Sequence, residues 1–324
     1  MNPALMWKHF FADKGPASVN PGLIVALVVV FIILCFISPY FLTSTNLLNI
    51  AKALVVAGIA AAGETIVIIA GGFDLSIGST MAASGMLSAY MLDSGFPISI
   101  AFACSILLGV LIGATNGTII SYFRVNPLIT TLAMLAIIRG LAFVISDGRE
   151  IIITNTTWLS LGTGKFLGIP LIVLLLVALY LAFMFIIPRT TFGRYIYAIG
   201  SNARAARLAG VAVNRWLLTI YITCGATAAL AGLMLAARTG NARPAAAMGF
   251  ELDVITAVIL GGASLKGGRG TIVGTAVGLM LLFMINNGLT LAQVPSFWQQ
   301  VVKGMILLAA VLYDEIRRGR TDDT

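Results

Sequence analysis

Charge is scarce in this chain. Only 10% of its 324 residues are Asp, Glu, Lys or Arg, against about 25% in a soluble globular domain. Hydrophobic residues make up 59%, and the mean hydropathy is +1.02. So few charges exclude a separate soluble domain and imply an integral, all-α membrane protein. Histidine is nearly absent: the single one, His9, precedes the first apolar run, which excludes a histidine-based site within the membrane. Cysteine is sparse too. Cys35, Cys104 and Cys224 lie in apolar stretches without metal-ligand spacing and read as packing residues.

Motifs for chemistry are also missing. No G-x-x-x-x-G-K-S/T phosphate loop occurs. The stretch Gly262-Ala263-Ser264-Leu265-Lys266-Gly267 fails the spacing and lacks the hydroxyl residue. The chain therefore cannot hydrolyse ATP alone. Neither H-E-x-x-H, nor a nucleophile elbow, nor a Cys/His cluster is present, which argues against a membrane-embedded enzyme. The first apolar block begins near Gly22, runs long and ends in Ser38-Pro39, unlike a cleavable signal.

What is present is a series of apolar runs. A bilayer core needs about 20 apolar residues per helix. The runs predict ten spans: 22–38, 47–70, 76–92, 97–121, 127–146, 169–187, 216–237, 251–265, 271–289 and 296–313. The net charge of +8 does not point to nucleic acid, because the basic residues fall between spans. With the N-terminus cytoplasmic, the inside segments hold Lys8, Lys14, Arg124, the arginines of 188–215, Lys266, Arg269, Arg317, Arg318 and Arg320. Residues 1–21 are then expected to form a cytoplasmic N-terminal segment, 22–313 the transmembrane region with the polar segment 188–215, and 314–324 a basic cytoplasmic tail. The spacings Gly109-xxx-Gly113-xxx-Gly117 and Gly270-xxx-Gly274-xxx-Gly278 predict closely packed helices.

A short internal similarity links Gly72-Phe73-Asp74-Leu75-Ser76-Ile77 to Gly249-Phe250-Glu251-Leu252-Asp253-Val254. Each precedes a short span. Five spans separate them, so the halves are expected to be inverted, as in many transporters. The glycines at 71 and 72 should break a helix, and Asp74 and Ser76 are expected to cap the next one. That segment is either a capped re-entrant turn or a contact with cargo. Glu64, Arg139 and Lys303 fall inside spans. Glu64 is expected to pair with Arg139 or Lys303, or to serve an ion relay.

The longest polar segment, 188–215, holds Arg189, Arg194, Arg204, Arg207 and Arg215 and no acid. Ser201 and Asn202 suit a helix N-cap, Gly210 a C-terminal stop. The short helix between them places Arg204 and Arg207 on one face and Ala205, Leu208 and Ala209 on another. Such a helix suits docking into a groove on a soluble partner.

The run Gly193-Arg194-Tyr195-Ile196-Tyr197-Ala198-Ile199-Gly200-Ser201-Asn202, continuing Ala205-Ala206-Arg207-Leu208-Ala209-Gly210-Val211, resembles the coupling loop of ribose-type sugar ABC importer permeases. Gly71 to Ser79 (GGFDLSIGS) and Gly249 to Gly262 (GFELDVITAVILGG) resemble two further motifs of that family, in the same order. The resemblance implies a permease subunit of a bacterial inner-membrane importer, with the ten-helix fold of vitamin B12-type importers. It implies a second permease subunit in a homodimer, a periplasmic sugar-binding protein, and a separate cytoplasmic ATPase that carries ATP and Mg. No cofactor is implied on this chain. Gly200, Ser201, Asn202, Arg204, Ala205, Arg207, Leu208 and Gly210 would contact the ATPase or shape the coupling helix. Glu64, Phe73, Asp74, Ser76, Asn116, Asn126, Thr130 and Asn286 are the pathway candidates. Phe73 and Glu64 depart from the family pattern of Ile and an uncharged residue. The alternative is an ion-coupled secondary transporter that uses Glu64 and Asp74.

Overall fold

The computed structural model describes residues 21–322, with side chains through Ile316. The expected cytoplasmic residues 1–20, and the side chains of Arg317, Arg318 and Arg320, lie outside the described residues. Among the described residues there are twelve helices: α1 (Pro21–Ile37), α2 (Ser44–Ile69), α3 (Ile77–Asp93), α4 (Ile98–Ser121), α5 (Pro127–Ser146), α6 (Thr156–Thr163), α7 (Leu171–Arg189), α8 (Thr191–Leu208), α9 (Val213–Thr239), α10 (Phe250–Leu260), α11 (Ile272–Leu291) and α12 (Ser296–Asp322). A helix stands at each of the ten predicted spans. Seven of these are long and apolar enough to cross a membrane. The other three, α1, α3 and α10, have 17, 17 and 11 residues.

Helix ends follow local chemistry. Thr43, Asn126, Asn155 and Thr271 each accept a backbone N–H of the first turn of α2, α5, α6 and α11. Gly240, in the left-handed region at φ 72°, stops α9. The chain between α5 and α7 carries none of the ten predicted spans. It contains α6 and the strands β1 (Ile151–Ile152), β2 (Lys165–Phe166) and β3 (Ile169–Pro170), and β1 pairs antiparallel with β4 (Asn241–Ala242). Trp158 of α6 is fully buried, edge-on to Phe102 at 6.4 Å. One tryptophan in a polar stretch carries no periodicity, so the sequence pattern missed this helix.

α2 and α9 are the most buried of the seven long helices and form the centre. α9 packs against α4, α2 and α3. Small residues make that possible. A Cβ at Gly109 or Gly113 would strike the backbone of Gly225 or Tyr221, and one at Gly232 would strike that of Met81. Gly274 and Gly278 admit the backbone of α10 in the same way. The glycine spacings thus mark close helix approach, as expected.

The two similar hexapeptides meet in space. Gly78, at the start of α3, lies against Glu251 and Ala247 at the start of α10. From there the helices run apart. α3 advances alongside α9, with Gly72 beside Tyr221, Gly85 beside Gly232 and Ala236. α10 leads to the loop 261–271, which touches α8 through Gly200 and Ser201. The two short helices therefore begin beside one another.

Replacing Gly113 by Leu forces a side chain into the carbonyl of Tyr221. Overpacking typically costs about 1–3 kcal/mol, more where backbone is struck. The Gly113→Leu protein should melt several degrees lower in detergent than the parent, whereas Gly140→Leu, where the added Cβ meets open space, should melt like it.

Candidate functional site

The turn between α2 and α3 is built from its glycines upward. Gly71 sits at φ 83°, which a side chain disfavours. Gly71 N–H donates to Ile68 O and Gly72 N–H to Val67 O, both at 2.9 Å. These two bonds close the end of α2 in a Schellman arrangement. The chain then doubles back beside α2. Asp74 N–H donates to Glu64 Oε1 at 3.2 Å, ten positions earlier. Phe73 O accepts from Tyr221 Oη at 3.2 Å.

Asp74 then organises the entry to α3. Its Oδ1 accepts from Ser76 N at 2.9 Å and from Ser76 Oγ at 2.5 Å. Asn116 Nδ2, from α4, donates to Ser76 Oγ at 2.9 Å. Cys224 Sγ, from α9, donates to Glu64 Oε2 at 3.7 Å. Glu64, Ser76 and Asn116 are wholly buried and Asp74 is 2% exposed. A buried turn has no water for its backbone, so side chains satisfy it instead.

Two sequence expectations are corrected here. Ser76 is the N-cap residue of α3, yet its side chain makes no capping bond. Its hydroxyl donates to Asp74 Oδ1, which also accepts the Ser76 N–H, so neither side chain reaches an N–H of α3 itself. Glu64 does not pair with Arg139 or Lys303. Arg139 Nη1 donates to Pro244 O and Ala246 O, at 2.8 and 2.6 Å, in the chain leading to α10. Lys303 Nζ binds Asp253 Oδ2 at 2.7 Å. Both cations lie beside acceptors of the α10 region, while the turn gives Glu64 neutral donors. Cys224, expected to be packing only, is one of them.

The other pathway candidates scatter. Asn126 is exposed and caps α5 through Leu128 N. Thr130 is buried and donates to Asn126 O at 3.1 Å. Asn286 sits on α11 with a buried, unpartnered Oδ1, while Asn46 and Asn287 exchange side-chain bonds at 3.0 and 2.8 Å. Of the eight candidates, Glu64, Phe73, Asp74, Ser76 and Asn116 come together; Asn126, Thr130 and Asn286 do not join them.

The segment expected to be a loop at 188–215 is mostly helix: α7 runs through Pro188 to Arg189, and α8 fills 191–208. Asn202 breaks α8 with extended backbone (φ −161°, ψ 97°), and its Oδ1 accepts from Ala205 N at 2.9 Å. It is the N-cap of a short terminal helix. Gly210, at φ 85°, closes the other end: its N–H donates to Arg207 O and Val211 N–H to Ala206 O. Ala206 packs inward on Ile199 and Val213. Ser201, Arg204, Ala205, Arg207 and Leu208 face outward, and Leu208 is 85% exposed. Arg207 Nη2 also binds Asn214 Oδ1 at 3.2 Å.

Gly200 does not shape a helix end, contrary to expectation. It lies against Ile69 O and Gly268 N, where a Cβ would not fit. Gly268 N–H donates to Ile69 O at 2.8 Å. Tyr197 Oη donates to Gly270 O at 2.8 Å, and burial pushes its phenol above the usual range. The same loop is held to α12. Asp314 Oδ2 accepts from Ser264 Oγ at 3.0 Å, and Lys266 Nζ binds Glu315 Oε1 at 2.7 Å. The end of α2, the root of the short helix and α12 therefore share one glycine-rich loop. Sequence reasoning did not find this junction; its available signal was the run Gly267-Gly268-Arg269-Gly270.

Glu64→Gln keeps an oxygen for Asp74 N–H, so its melting temperature should stay close to the parent's. Glu64→Leu strands that donor at a cost of about 1–3 kcal/mol and should lower the melting point by several degrees.

With this geometry established, the chain was compared with known proteins. Residues 46–311 match the family described as branched-chain amino acid transport system / permease component. The ribose import permease protein RbsC of Escherichia coli strain K12 is 41% identical over 90% of this chain and 92% of its own length. RbsC of Bacillus subtilis strain 168 is also 41% identical, with the same coverage. The L-arabinose transport system permease protein AraH of Escherichia coli strain K12 is 39% identical over 92% of this chain and 90% of its own. No solved structure matches. The chain belongs to this permease family.

Proposed function

We propose that this member of the permease family is the membrane subunit of an ATP-driven sugar importer in a bacterial inner membrane. Its cargo is ribose, arabinose or a related monosaccharide. The observation that carries the cargo class is the match, over nine-tenths of the chain, to ribose and arabinose permeases. In this reading the ten helices α1–α5, α7 and α9–α12 cross the membrane in the arrangement of vitamin B12-type importers. Both termini and α8 face the cytoplasm. The basic residues of α8 and the loop 261–271 support that orientation.

A second permease copy, a periplasmic binding protein and a cytoplasmic ATPase complete the importer. ATP and Mg bind the ATPase. The short helix 203–208 docks in a groove of that ATPase, with Leu208 as the apolar tip and Arg204 and Arg207 beside it. Gly200 and Ser201 form its root. Movement of the groove carries the root, and the root carries the loop 261–271. That loop is bonded to the end of α2 and to α12. The motion therefore passes by direct contact to the central span α2 and the outer span α12, a rigid-body transition.

The adjacency of Glu64 and Asp74, without a cation beside them, favours one rival: a secondary transporter coupled to ions. The exposed Leu208 at a helix tip has no purpose in that rival.

Leu208→Glu places a charge on the apolar tip. Uptake and binding-protein-stimulated ATP hydrolysis by the assembled importer should both fall about tenfold or more, roughly 1.4 kcal/mol of lost contact. The variant should still fold, because position 208 touches solvent; unchanged uptake and hydrolysis would reject the docking role.

A further inference from the structure

A cavity of about 390 Å³ lies between α10 and α12. It belongs to neither the Asp74 turn nor α8. Its volume is at the lower end of small-molecule sites, roughly 300–1,000 Å³. The first turn of the short helix α10, beginning at Gly249, forms one wall, and Gln300, Lys303 and Gly304 of α12 form another. α10 starts inside the bundle, against the start of α3. The cavity thus lies along α10, one of the two interrupted helices, and interrupted helices of this kind form cargo sites in transporters.

Met248, Phe250, Leu252 and Leu307 make much of the lining apolar, and a few polar groups are set among them. Asp253 and Lys303 pair at 2.7 Å and are partly buried, with side chains 16% and 32% exposed. A charge at that depth is tolerated only when paired or facing a cavity; both conditions hold. The pair sums to zero charge, so it offers no net attraction to an ion. It still has hydrogen-bonding capacity left: the carboxylate keeps lone pairs and the ammonium keeps two N–H groups. Gln300 makes no hydrogen bond to any described residue and offers both donor and acceptor. Thr256 Oγ1 donates to Leu252 O at 2.6 Å, which leaves its lone pairs free. Phe250 adds an apolar face. Hydrogen-bond donors and acceptors beside an apolar face suit a neutral, polyhydroxylated molecule of monosaccharide size.

We infer that Asp253, Lys303, Gln300, Thr256 and Phe250 form a transit subsite for the hydroxyl groups of a monosaccharide between α10 and α12. This inference rests on the sugar-importer reading. The apolar residues of α12, such as Val301, Met305 and Leu308, lie exposed away from the cavity. Toward the cavity α12 presents Gln300, Lys303, Gly304 and Leu307, a more polar set than that outer face.

The test uses the complete importer in vesicles, with ribose and arabinose as probes. Gln300→Leu and Thr256→Val remove hydrogen-bonding groups without unpairing a charge. Each should slow sugar uptake about fivefold or more, while protein abundance and binding-protein-stimulated ATP hydrolysis stay at the parent level. In a Gln300→Cys variant, millimolar sugar should slow labelling of the new thiol by a membrane-permeant maleimide. Uptake within twofold of the parent in both variants, or labelling unaffected by sugar, would overturn the subsite. Absence of sugar uptake by the parent importer would instead overturn the sugar-importer reading on which the subsite rests.

Discussion

A backbone turn buried among helices must bring its own hydrogen-bond partners, and the rest of this structure depends on how that demand is met. Between α2 and α3 the chain reverses out of contact with water. Asp74 supplies acceptors for Ser76, Glu64 supplies one for Asp74, and Tyr221 and Asn116 supply donors. In a lipid-facing protein each unmet group would cost several kcal/mol. Because partners come from α2, α4 and α9 together, the turn is also a clamp that sets where those helices stand. The start of α3 is thereby fixed against the start of α10.

The second constraint is steric. Glycines at 109, 113, 225 and 232 let α4, α9 and α3 approach until backbones touch. Gly200, Gly267 and Gly268 do the same where α8 meets the loop 261–271. Contacts between backbones have no flexible side chain to absorb displacement. A shift at the short helix 203–208 is therefore transmitted rather than dissipated. This is a physical reason for a membrane subunit without a phosphate loop to carry an exposed, capped helix: the energy enters through another protein, and stiffness delivers it.

Much of this was legible in the sequence, and the failures have causes. Apolar runs located each of the ten long or interrupted helices, because helix length and hydropathy are local properties. Asn202 and Gly210 announced the ends of the short helix through capping chemistry, which is local too. The similarity of 72–77 to 249–254 pointed to two broken helices but not to their contact, since nothing local says which ends meet. The partners of Glu64 were misread for the same reason. Charge alone suggested Arg139 or Lys303, yet each was satisfied by acceptors brought close through folding, namely Pro244, Ala246 and Asp253. Gly200 looked like a helix end and proved to be a contact surface. Asp314 and Glu315 gave no signal at all, because an acid near a chain end is indistinguishable from a solvated one until its partner is known.

The central claim is that transport by this chain draws its energy from a separate ATPase engaged at α8. The most direct measurement is monosaccharide uptake into vesicles holding the purified chain, with and without its ATPase and binding protein. The account predicts accumulation only when all components and ATP are present, and none driven by a proton or sodium gradient across vesicles holding the chain alone. Gradient-driven uptake by the chain alone, without ATP, would contradict it and assign Glu64 and Asp74 the role of coupling carboxylates.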